Sequence, residues 1–111
     1  MKTTESKLGY REELFKALAN FKRLQILDLL CKQGEMCVCD ITPALGSEQS
    51  NVSQHLAVLK EAGILGSRRE GTRILYWIED PKVCRVIEAA DEYILEVLEK
   101  KERVLRELIK H

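Results

Sequence analysis

The chain has 111 residues, a length that suits one domain with a single modest core. Its 18 Lys and Arg balance 18 Asp and Glu, which excludes a molecule-wide basic coat and confines any nucleic-acid contact to a local patch. No apolar run approaches the roughly eighteen residues of a membrane span, and the opening MKTTESKL holds no signal core, so a cytoplasmic protein with no membrane partner is expected.

Residues 1–8 read as a mobile polar tail, and residues 9–111 as a single domain. Leu14, Phe15, Leu18 and Ala19 recur at helical spacing and mark a first helix over residues 9–19. Asn20 can end it or cap the next. Residues 21–32 carry Leu24, Ile26, Leu27, Leu29 and Leu30; this second helix is apolar around much of its girth and should lie centrally, with Gly34 as its stop. Met36–Leu45 reads as a short third helix, capped by Asp40 or Thr42, with Pro43 in its first turn. Gly46 then turns the chain into Ser47–Gly63.

Ser47–Gly63 is the most informative stretch. Val52, Leu56 and Leu59 form an apolar stripe. The opposite face carries Ser50, Asn51, Ser53 and Gln54, with Gln49 beside them. This face is uncharged and rich in short hydrogen-bonding groups, where a surface helix ordinarily shows Lys and Glu. Gln and Asn can bond adenine bidentately and Ser can meet either donors or acceptors, so the face suits reading bases in a major groove. The plainer alternative is a polar face turned to water. A short helix, a glycine turn and a polar-faced helix make a helix-turn-helix. His55 sits about 60° from the centre of the apolar stripe, which suits a phosphate or supporting contact better than a metal bond.

After Gly63 the period changes to two. Ile64–Arg69 and Thr72–Ile78 flank a Glu70-Gly71 turn, the pattern of a hairpin. Ile74, Tyr76 and Ile78 share one face, Leu75 and Trp77 the other. Over residues 50–77, Lys60, Arg68, Arg69 and Arg73 outnumber Glu61 and Glu70 by two charges. Arginines at a hairpin tip suit phosphate contacts or a narrow minor groove; solvated arginines on an exposed turn are the alternative.

Asp80-Pro81 opens the last helix, over residues 81–110. Val83, Ile87, Ala90, Ile94, Val97, Val104 and Leu108 step by threes and fours, broken only at Lys101, and Val86, Leu98, Leu105 and Ile109 widen the stripe. A helix this long exceeds what one small domain covers. It either pairs with its own copy, giving a two-fold dimer, or folds back on its own domain.

Cys31, Cys37, Cys39 and Cys84 are expected to be free thiols, metal ligands or redox sensors rather than structural disulfides. Cys31 ends an apolar helix and also reads as a small core residue. Cys84 lies in the first turn of the last helix, where the dipole favours a thiolate.

Three stretches resemble the ArsR/SmtB family of winged-helix metal-sensing repressors. LFKALANFKRLQIL, residues 14–27, is similar to the family's opening helix pair. NVSQHLAVLKEAGIL, residues 51–65, resembles its recognition helix, and SRREGTRILYW, residues 67–77, its wing. The resemblance implies a mainly α fold with a β-hairpin, a winged helix-turn-helix dimerised through terminal helices. GEMCVCDI, residues 34–41, resembles the thiolate motif with which some members bind arsenite, antimonite, cadmium or lead, which maps onto Cys37, Cys39 and Asp40. Paired thiolates favour thiophilic ions. Two thiols two residues apart on a regular helix point about 200° apart, so sharing one ion would distort the helix start. The arsenic-type motif has a third Cys three residues later; Thr42 stands there. Cadmium-type members add tail cysteines, and residues 1–8 have none, so a third ligand would be Cys31 or Cys84. The zinc site on the family's last helix needs Asp and His pairs, and residues 81–110 have no His, the last one being His111.

The reading that follows is a homodimeric repressor, not an enzyme. It would bind double-stranded DNA at an inverted repeat through Gln49, Ser50, Asn51, Ser53, Gln54, His55, Arg68, Arg69 and Arg73. A thiophilic metal or metalloid at Cys37 and Cys39, with no organic cofactor, would release it. A second reading replaces the metal with thiol oxidation or persulfide formation, with Cys31 and Cys84 as the candidate pair. A thiol enzyme or metal carrier is the third.

Overall fold

The computed structural model describes residues 3–110, with side chains over 5–110. Met1, Lys2 and His111, two of them in the expected tail, lie outside the described residues. Helix α1 spans Thr3–Leu18 and α2 Phe21–Gln33; a two-residue strand β1, Met36–Cys37, leads into α3, Val38–Leu45. Helix α4 spans Gln49–Glu61, strands β2 and β3 span Leu65–Glu70 and Arg73–Ile78, and α5 spans Lys82–Lys110. No described helix is long and apolar enough to cross a membrane.

Residues up to Pro81 form one compact unit and α5 forms another. The division follows from burial: no residue of α5 is buried. In the first unit the core is built from Ile26, Leu27 and Leu30 of α2, Ile41 of α3, and Val52, Leu56 and Leu59 of α4, all at most 1% exposed. These are the stripes that helical spacing marked, and α2 is central as expected. Helix α1 contributes Ala17 and Leu18 and leaves Phe15 exposed. It begins earlier than expected: residues 3–8 continue the helix instead of forming a tail.

The Asn20 side chain settles the boundary between the first two helices. Its Oδ1 accepts the backbone N–H of Arg23 at 3.0 Å, so Asn20 is the N-cap of α2. Gly46 closes α3 in the left-handed region, φ 60° and ψ 33°, where a side chain would be strained. That sharp turn sets α4 against α3.

The sheet holds three antiparallel strands in the order β1-β3-β2. The expected hairpin forms, and a third strand joins it. Residues 36 and 37, expected in the third helix, pair as strand with β3: Met36 opposite Tyr76 and Cys37 opposite Leu75. Between β2 and β3, Glu70 stands opposite Arg73, so the loop is Gly71-Thr72, one residue beyond the expected turn. Gly71 has φ 64° and, among the described residues, no non-glycine residue has positive φ, the pattern of a type II′ turn with glycine first.

Candidate DNA interface and thiol site

Helix α4 buries Val52, Leu56 and Leu59 completely and turns Gln49, Ser50, Asn51, Ser53 and Gln54 to solvent. The sequence fixes this rotation, because the apolar stripe can face only the core. Glu48 is the N-cap and makes no side-chain capping bond. The first-turn backbone N–H groups thus sit beside polar side chains, an end that suits phosphate.

His55 is half-buried and tied inward. Arg23 Nη1 lies 3.3 Å from its Nδ1, which accepts, since a guanidinium can only donate. The same guanidinium donates to the carbonyls of Ala17 at 2.6 Å and Lys16 at 3.1 Å. Arg23 therefore joins the end of α1 to the recognition helix through His55. Burial, with the Arg23 and Lys22 cations adding to it, holds the His55 pKa below 6.5. The unfolded chain then binds a proton that the folded chain refuses. Stability is full above about pH 6.5 and falls as pH drops from there through the lowered value. His55→Gln, which keeps an acceptor for Arg23, should flatten that acid slope. Urea midpoints followed across about pH 5 to 7.5 check it.

The three wing arginines are not equivalent. Arg68 is paired with both Glu35 and Glu70, the latter at 3.2 Å, and its guanidinium lies 5.6 Å from the Trp77 ring centre. Arg69 and Arg73 are exposed, and among the described residues neither has an ion pair. Adjacent residues of a strand face opposite ways, so Arg68 and Arg69 are directed to different faces of the wing. Trp77 packs on Gly66, where an added Cβ would lie 2.6 Å from the ring. That close approach is what glycine permits at this position of β2.

Cys37, Cys39 and Asp40 offer ligand atoms that all lie within 4.8 Å of one another. Two expectations need correcting. The thiols are not both on a helix: Cys37 is the extended N-cap, φ −81° and ψ 158°, and Cys39 lies in the first turn of α3. The change from strand to helix between them swings the two sulfurs together, so no helical distortion is needed. Nor is any of the four cysteines a free thiol: Cys31 and Cys84 are each disulfide-bonded, and Cys37 and Cys39 are joined to one another, with Cα atoms 5.1 Å apart, inside the range such a bond requires. Neither Asp40 nor Thr42 caps α3. Asp40 lies in the first turn, and the Thr42 hydroxyl is buried with no hydrogen-bond partner.

Cys31, exposed on α2 rather than placed in the core, and Cys84, in the first turn of α5, are not in the ligand group. Cys37 is 1% exposed while Cys39 is open to solvent. Cys39 also borders a cleft of about 310 Å³ whose walls include Gln49 and Ser53 of the recognition helix and Arg73 and Tyr76 of the wing. The thiol pair thus adjoins the side chains that face DNA in the sequence reading. Sequence reasoning passed over Arg23 and Glu35. Their roles depend on partners 32 and 33 residues away, His55 and Arg68, and no spacing rule connects such positions.

A helix-turn-helix with an outward polar face, followed by a cationic hairpin joined by a third strand, defines a winged helix-turn-helix DNA-binding regulator. The chain belongs to the ArsR family. The model of the arsR family of bacterial regulatory proteins matches residues 21–67. The chain is 46% identical over 80 residues to an uncharacterized HTH-type transcriptional regulator of Methanocaldococcus jannaschii, covering 72% of this chain and 90% of that protein. It is 40% identical over 84 residues to the arsenical resistance operon repressor of Bacillus subtilis, covering 75% of this chain and 80% of the relative. Among solved structures, the homodimeric winged helix-turn-helix DNA-binding domain of a protein from Mycobacterium bovis, described as a possible ArsR-family transcriptional regulator, matches with a TM-score of 0.79 at 39% identity, over 89% of this chain and 91% of that one. The family is one of transcriptional regulators, not enzymes.

Proposed function

We propose that this protein is a homodimeric cytoplasmic repressor, released from an inverted-repeat operator when Cys37 and Cys39 capture a thiophilic ion of the arsenite/antimonite or cadmium/lead type. The convergence of Cys37, Cys39 and Asp40 at the junction of β1 and α3 carries this reading. Two sulfurs that can reach one another can reach one ion, and thiolates select soft ions over magnesium or calcium. The B. subtilis relative's role in arsenical resistance points the same way. Helices α4 of two protomers would enter successive major grooves, with Gln49, Ser50, Asn51, Ser53 and Gln54 at base edges and Arg69 and Arg73 on the backbone. The ion must bind the off-DNA arrangement more tightly than the DNA-bound one, because only that difference can move the equilibrium.

A second reading rests on the disulfide itself. Oxidation of Cys37 and Cys39 would be the signal, beside the Cys31 and Cys84 pair that the sequence suggested; among the described residues no cysteine is free. Titrating the reduced dimer with arsenite, antimonite, cadmium and lead while following operator release separates the two. The metal reading expects release together with a thiolate charge-transfer absorbance band. Release by a thiol oxidant alone, with none of the four ions effective, overturns it in favour of the second.

A further inference from the structure

The sensing thiol is part of the wing's own sheet. Cys37 stands opposite Leu75 on β3, and Leu75 stands opposite Arg68 on β2, so the three form one row across the strands. The row is closed at its ends: Glu35, two residues before Cys37, is paired with Arg68. Arg68 also holds Glu70 at the hairpin end and stacks near Trp77. Glu35 and Arg68 are both partly exposed, so the pair adds little to stability. It does fix the segment that carries Cys37 to the strand that carries Arg69.

We propose that Arg68 is a positioning residue that couples the thiol site to the wing, and that the Glu35–Arg68–Glu70 clasp is the route by which capture at Cys37 displaces Arg69 and Arg73 from DNA. This rests on the thiol site proposed above and adds the moving part. β1 has only two residues, so any shift of Cys37 has little strand to absorb it and passes into β3 through the Met36–Tyr76 and Cys37–Leu75 pairs. The guanidinium suits the task because its planar fork can hold two carboxylates at once, which an ammonium cannot do in the same geometry. A phosphate contact by Arg68 would first require it to leave both glutamates.

Trp77 is the chain's single tryptophan and reports on the wing directly. The test compares the reduced wild-type dimer with Arg68→Ala, Arg68→Lys, Glu35→Gln and, as the phosphate control, Arg69→Ala. Arsenite is the probe, its capture is followed by thiolate absorbance, and operator affinity is measured across a salt series. All variants should show the absorbance band. Arsenite should shift Trp77 emission in wild type and Arg69→Ala, and much less in the other three. The arsenite-induced loss of operator affinity should shrink about tenfold in Arg68→Ala, Arg68→Lys and Glu35→Gln. Arg69→Ala alone should flatten the salt slope, by about one unit. The proposal is overturned if Arg68→Ala flattens the slope like Arg69→Ala and releases normally. It is equally overturned if wild type leaves DNA with Trp77 emission unmoved. A wild type with neither band nor release would instead bring down the thiol site, and this coupling with it.

Discussion

Ile94→Glu combined with Leu98→Glu should yield a monomer that binds the full operator roughly 10²- to 10⁴-fold more weakly than wild type, the range lost when two linked contacts become independent. Helix α5 is 29 residues long and buries none of them. Ile94 is 49% exposed, Leu98 54% and Leu108 70%. Apolar residues spaced alternately three and four apart over that length form the seam of a two-stranded pairing. In a two-fold dimer each position near the axis meets its own copy, so one substitution introduces two facing carboxylates. Burying such charges without partners costs several kcal/mol each. Ile94 and Leu98 lie in α5 and take no part in the core of the unit up to Pro81, so the winged unit should stay folded. Sedimentation would read the oligomeric state. Binding to duplexes with one and two half-sites would show the lost linkage as equal affinity for both. A variant that stayed dimeric would move the interface away from the α5 seam.

What the chain spells out and what it conceals divide along the range of the interactions. Helix α4 and the core stripe of α2 were legible because burying Val52, Leu56 and Leu59, or Ile26, Leu27 and Leu30, requires the period that the sequence displays. The hairpin was legible from Gly71 and the alternation around it, but its loop was placed one residue early. Only the pairing of Glu70 with Arg73 decides which residues are central, and pairing is a tertiary fact. β1 could not be found at all. Two residues carry no periodicity, and Met36 and Cys37 are strand only because β3 offers them partners. That omission had chemical consequences, because the cysteines were then placed on a helix that points them apart. It also hid Glu35, and with it the reason that Arg68 differs from Arg69. The start of α1 was missed because residues 3–8 are mostly polar in sequence and residues 5–8 bury little, so helix and tail look alike in the sequence.

Cys37→Ser with Cys39→Ser should abolish ion-driven release while leaving operator affinity in the absence of ion within about a factor of two, since neither residue is among those assigned to base or phosphate contacts in the proposed mode. A serine hydroxyl replaces a thiol of similar shape, but it does not supply the soft donor that arsenite or cadmium needs. The single variants should not be equal. Cys37 is 1% exposed, so Cys37→Ser puts a hydroxyl in an apolar site and should also cost about 1–3 kcal/mol of stability. Cys39 is exposed, and Cys39→Ser should lose the response at unchanged stability. The same geometry predicts a gain. Thr42 is three residues after Cys39 on α3, hence on the same face of the helix, and its hydroxyl is buried without a partner. Thr42→Cys would remove that unpaired group and bring a third sulfur to the site at little packing cost. Arsenite, which takes three thiolates, should then bind about tenfold tighter or better, whereas an ion content with two sulfurs and a carboxylate should gain less. If arsenite binding to Thr42→Cys is unchanged while Cys39→Ser abolishes it, α3 does not present residue 42 to the site, and the ion is held by the Cys37, Cys39 and Asp40 set alone.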